Sequence, residues 1–126
     1  MISDFCYVRY CVDPDDLPDI TMDDCLSLLP DGFWWRGGTC HVSSEVTVCP
    51  DHNDPEHRER LLRQCPPTEA AYWDCGIDVE LRPGSHKAFL WAFFLACYRA
   101  RRAMGEPPDV KLGMLADLVT SASHGR

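Results

Sequence analysis

From Ala88 to Tyr98 the chain runs eleven residues without a charge. Within that run Phe89, Phe93 and Ala96 form one stripe at helical spacing, and Trp91, Phe94, Leu95 and Tyr98 form another. Two stripes leave no polar face, so the pattern predicts a helix over Ser85–Met104 that is covered on all sides. Its ends are marked. Ser85 follows Pro83-Gly84 as an N-cap, Arg99, Arg101 and Arg102 fall in the last turns where the helix dipole favours cations, and Gly105 before Pro107-Pro108 stops it. A bilayer core needs about 20 apolar residues, so the shorter run predicts a core helix and no membrane span.

The rest of the chain alternates between strand and helix patterns. Phe5 to Val12 is nearly continuously apolar, interrupted by Arg9, which is the pattern of a central strand. Asp13-Pro14-Asp15-Asp16-Leu17-Pro18-Asp19, with two prolines and four acids, predicts an exposed acidic loop. Thr21 then caps a short helix whose Met22, Cys25, Leu26 and Leu29 share a face, with Asp24 placed as the acid of a capping box. Phe33 to Arg36, Gly37-Gly38 and a strand from Thr39 to Cys49 have the form of a hairpin turning at the two glycines, with Cys40, Val42, Val46 and Val48 on one side. Asp54-Pro55 opens a weakly apolar helix that contains Leu61, Leu62 and Cys65. Tyr72 to Arg82 alternates cleanly, Trp73, Cys75, Ile77, Val79 and Leu81 inward and Tyr72, Asp74, Asp78, Glu80 and Arg82 outward. After the long helix, Asp109 caps a last short helix using Val110, Met114, Leu115, Leu118 and Val119.

This order predicts an α+β fold. A four-stranded, mostly antiparallel sheet in βαββαβ (ferredoxin-like) order carries the long apolar helix on one face and a short C-terminal helix, the other face staying wet. Residues 1–120 make one domain and 121–126 a frayed tail. A long helix packing partly on its own copy, giving a homodimer, is the alternative.

Charge changes the picture more than composition does. Residues 1–54 hold eleven Asp and Glu against Arg9 and Arg36, a net −9, whereas residues 55–126 hold nine acids and ten bases, a net +1, consistent with the overall −8. An acidic half repels phosphate backbones and attracts basic surfaces, which argues against direct nucleic-acid binding and for a basic protein partner. Eight cysteines invite a disulfide reading. The opening Met-Ile-Ser-Asp lacks the basic and apolar regions of a secretory signal, and Cys6, Cys25, Cys40, Cys75 and Cys97 sit where small hydrophobes belong. The expectation is a reducing compartment, cytoplasmic or intracellular in a host, with buried thiols.

Four constellations are candidates for chemistry. Cys40, Cys49, His52 and His57, with His41 nearby, comprise zinc-ligand types at a non-standard finger spacing, so the cofactor expectation is none, with structural zinc the alternative. Asp51 with Asp78 and Glu80 on a strand resembles the acid pair of metal-dependent nucleases, but Arg82 stands where those use a lysine, and a guanidinium is no base. No local motif marks a cysteine as an activated nucleophile, and G-x-S-x-G, P-loop, G-x-G-x-x-G and H-E-x-x-H signatures are absent. Phe33, Trp34 and Trp35 beside an acidic loop have the composition of a protein–protein hot spot. The expected function is a non-enzymatic, acidic inhibitor or antidote, of the immunity-protein or viral and phage accessory kind. It binds its partner through Asp13, Asp15, Asp16, Asp19, Asp23, Asp24, Trp34 and Trp35. A zinc-stabilised interaction module and a metal-dependent hydrolase are the alternatives.

Overall fold

A computed structural model of the chain describes residues 7–50, 76–106 and 109–124. Among these residues are strands β1 (Tyr7–Cys11), β2 (Phe33–Thr39), β3 (Ser44–Pro50) and β4 (Ile77–Arg82). The described helices are α1 (Met22–Leu28), α2 (His86–Ala103) and α3 (Val110–His124), with a single 3-10 turn at Pro14–Asp16. The chain is α+β with a mixed four-stranded sheet. The expected helix near residues 55–65 and the strand residues before Ile77 lie outside the described residues.

α2 is the centre of the core, as its two stripes require. Twelve of its residues from Ala88 to Ala103 are buried, and Trp91, Phe93, Ala96 and Cys97 are fully enclosed. Ser85 caps it by accepting the Ala88 N–H at 3.0 Å, and Gly105 ends it with φ of 83°. One side of α2 lies on β2, β3 and β4, against Val46, Val48, Ile77, Val79 and Leu81; α1 packs on it too, and α3 lies against both β1 and α2. α3 reaches His124, through residues expected to fray.

The ferredoxin-like order is not what forms. The sheet runs β1-β4-β3-β2, with β1 parallel to β4 and the other two pairings antiparallel. Among the described residues β1 is therefore an edge strand and not the central one its apolar run suggested. Arg9 and Cys11 are exposed, and Val8 and Tyr10 are half-buried, as an edge position allows.

The hairpin also turns later than the glycines suggested. Gly37 and Gly38 lie within β2, paired with Val46 and Glu45, and the turn is made by residues 40–43. Gly37 is needed for close approach: a Cβ there would strike the Glu45 carbonyl oxygen and the Val46 side chain. Cys40 and Val42 consequently leave the core face and are exposed in the connection. Gly84, just before α2, is close-packed in the same way, since a Cβ there would occupy the position of the Cys40 carbonyl oxygen. Ser44 fastens this junction, its hydroxyl donating to the Ser85 carbonyl at 2.9 Å and accepting the Ser85 N–H at 3.2 Å.

The second sheet face is not uniformly wet. Asp78 and Glu80 point away from α2 yet are only 4% and 8% exposed, and Thr47 is buried beside them. β4, which carries the two acids, is paired on both sides, with β1 and with β3.

Candidate functional site

The expected partner-binding aspartates lie on one short segment that is fixed to α2 from beneath. Val12 and Leu17 are buried at its start, and Trp91, inside α2, donates its Nε1–H to the Pro18 carbonyl at 3.0 Å. At the far end Arg101 donates to the Leu28 carbonyl at 2.6 Å. Between these anchors the backbone is ordered by the aspartates themselves. Asp13 accepts the Asp15 N–H at 3.0 Å to start the 3-10 turn, and Thr21 and Asp24 form a reciprocal capping box with bonds of 2.9 and 3.1 Å.

Capping leaves most of this charge facing water. Asp15, Asp16, Asp19, Asp23 and Asp24 are exposed and Asp13 is half-buried. Lys87 reaches Asp19 at 3.1 Å, but the Asp19 side chain is still 97% exposed, so this surface pair neutralises little. Leu26, expected to face the core from α1, is exposed on the same helix, and Leu28 is buried in its place.

The two tryptophans do not join this surface. Trp34 and Trp35 are successive strand residues and point to opposite faces. Trp35 is half-buried against α2, its ring centroid 4.4 Å from that of Phe93 and 6.0 Å from that of Phe89. Trp34 lies on the face turned away from α2, with the Arg36 guanidinium 6.0 Å from its ring centroid. The acidic segment is tied to α2, so the sheet stands between Trp34 and the aspartates.

For the zinc alternative, His52 and His57 lie outside the described residues, Cys40 is exposed in the β2–β3 connection and Cys49 is buried on β3. Among the described residues no three His, Cys, Asp or Glu side chains are grouped to hold a metal ion. The Cys40 thiol is nonetheless distinctive. Hydrogen bonds from the backbone of Val42 and Ser43, and the Ser43 hydroxyl 3.8 Å away, hold its pKa below the ordinary thiol value. Burial pushes Cys25 up to about 12, and it raises Cys97 as well.

A second cluster lies on the far sheet face, where Asp78 and Glu80 are joined by Tyr7, Arg36 and Thr47, which the sequence pattern did not single out. Pairing sets Arg36, Thr47, Asp78 and Tyr7 in one row, and Gly38, Glu45, Glu80 and Arg9 in the next. Glu80 accepts from Arg82 Nε at 2.8 Å and from the Tyr7 hydroxyl at 3.5 Å. Asp78 Oδ1 is buried and has no hydrogen-bond partner among the described residues. Loss of water, with Glu45 and Glu80 nearby, raises the Asp78 carboxyl to about 7, and the Thr47 hydroxyl and Arg36 offset this only in part. Asp51, the third acid of the nuclease-like arrangement, lies outside the described residues, and Arg82 is engaged with Glu80. The strand alternation marked Asp78 and Glu80 as outward. Their burial, at 4% and 8% exposure, is not something alternation within one strand reveals.

No protein-family model, curated protein or solved structure matches the chain. The functional reading therefore rests on the surface itself. Among the described residues no helix is long and apolar enough to cross a membrane.

Proposed function

We propose that the chain is an acidic protein-binding module of the inhibitor or antidote kind, which masks a basic surface on a partner protein. The observation that carries this reading is the set of five exposed aspartates between Asp15 and Asp24 on a backbone anchored to α2 at both ends. Charges fixed to a rigid element attract an oppositely charged surface without first having to be ordered, which speeds encounter and excludes partners of the same sign. The net charge of −8 extends that attraction beyond the contact area.

The test is affinity capture on the immobilised chain at about 50 and about 500 mM salt, where screening lengths differ about threefold, beside a variant with Asp15→Asn, Asp16→Asn and Asp19→Asn. The reading expects a basic protein retained at low salt by the parent chain and lost both at high salt and with the variant. Equal retention by parent and variant at both salt levels overturns it.

A further inference from the structure

The acidic segment borders an apolar groove at the edge of the core. Beside Asp19 and Asp24 a hollow of about 340 Å³ has Ile20, Phe94, Leu112 and Leu115 in its wall. It shares Lys111 and Leu115 with a second, open hollow of about 440 Å³ lined along α3 itself by Val110, Met114 and Leu118, so the trough between α1 and α3 opens onto the outer face of α3. Val110, Met114 and Leu118 are 79%, 65% and 42% exposed. They recur every fourth residue on the side of α3 away from its buried Ala116 and Val119. A stripe of one apolar side chain per helical turn suits the ridge of another helix.

We infer that this trough seats an amphipathic helix of the partner, whose apolar stripe lies on Val110, Met114 and Leu118 and whose lysines or arginines face the Asp19 and Asp24 rim. The inference rests on the acidic-module reading and specifies its partner. Charge complementarity selects the occupant. One wall carries Asp19 and Asp24 on a segment with Asp15, Asp16 and Asp23; Lys111 stands in the seam, Lys87 is held at Asp19, and beyond Leu28 and Leu112 Arg101 is held by Glu106 and the Leu28 carbonyl while the exposed Arg102 lies over the Tyr98 ring. A second copy would bring another chain of charge −8 to the same rim, and an anionic membrane would be repelled likewise.

The probe is a fluorescein-labelled, amidated Leu/Lys amphipathic helix of about 18 residues, long enough to hold helical structure, beside its Leu/Glu counterpart. Binding is followed by anisotropy on the full chain. Two variants separate the contributions: Met114→Asn with Leu118→Asn removes apolar contact without adding charge, and Asp15→Asn, Asp19→Asn and Asp23→Asn removes charge. Circular dichroism verifies that both fold. The Leu/Lys peptide should bind, the Leu/Glu peptide should not, and each variant should weaken the first by about tenfold or more. Weakening by the aspartate variant alone overturns the groove and leaves the acidic reading standing. Weakening by the groove variant alone, or equal binding of both peptides, overturns the charge selection. Weakening by neither variant overturns both readings. Concentration-dependent dimerisation in sedimentation, abolished by the groove variant, would make a second copy the occupant and overturn the inference.

Discussion

Replacing Asp78 by Asn should make the protein more stable at neutral pH and change little in acid. Asp78 is 4% exposed, its Oδ1 lacks a hydrogen-bond partner among the described residues, and its carboxyl is raised from 3.8 to about 7, chiefly by burial. The sign follows from proton binding. Between pH 4 and 7 the folded chain keeps the Asp78 proton and the unfolded chain has released it, so stability falls as pH rises through this window and levels above 7. Each tenfold change in proton affinity is worth about 1.4 kcal/mol, which puts the full penalty at about 4 kcal/mol and, with relaxation around the charge, at about 2–4 kcal/mol. An Asn amide is nearly isosteric with the protonated acid and can still accept from Thr47, so near pH 4 parent and variant should agree within about 1 kcal/mol. By pH 8 the variant should lead by the full penalty.

Urea unfolding of both proteins in steps from pH 4.5 to 8.5 measures this, and the quantity to plot is the difference between them. Acids elsewhere titrate in both chains and cancel. Glu45 and Glu80 do not cancel fully, because they repel a charged Asp78, but their effect has the same sign. Parallel curves, or a variant less stable than the parent at pH 8, would refute the reasoning and mean that water or a cation reaches the carboxylate.

Two further outcomes follow from close packing and burial. Under native conditions iodoacetamide should modify Cys40 before Cys25 or Cys97, because Cys40 is exposed with a lowered pKa and the other two are buried with raised ones; peptide mass mapping reads the order, and Cys25 labelled as fast as Cys40 would contradict it. Gly84→Ala should cost about 1–3 kcal/mol or more in urea unfolding, since its Cβ meets the Cys40 backbone, while Gly38→Ala, with open space around the new carbon, should stay within about 1 kcal/mol of the parent; equal losses at both would show that close approach is not what selects Gly84.

What the sequence made legible is local. The cap at Ser85, the stop at Gly105 and the capping box of Thr21 and Asp24 each depend on residues within a few positions, and each forms as the pattern requires. The enclosure of α2 was legible too, because a helix without a polar face has only one place to go. Strand order is a different kind of quantity. The apolar run of β1 fits an edge strand half-covered by α3 as well as it fits a central strand, and only its partner in the sheet decides between them. Two glycines likewise fit a turn or a close strand crossing, and Val46 on the neighbouring strand decides for the crossing at Gly37.

The same distinction explains why part of the candidate surface was visible and part was not. Aspartates between two prolines must be solvated wherever the loop goes, so their exposure could be read directly from the chain. The apolar residues of α3 could not be sorted that way. Val110, Met114, Leu115, Leu118 and Val119 read as one core-facing set, but α3 meets the rest of the fold through β1 and α2, which enclose Ala116 and Val119 and leave Val110, Met114 and Leu118 outside. A single helix with apolar residues on two sides is a signal in itself. One side completes this chain's core, and the other, exposed on Val110, Met114 and Leu118, is the stripe on which the inferred partner helix would lie.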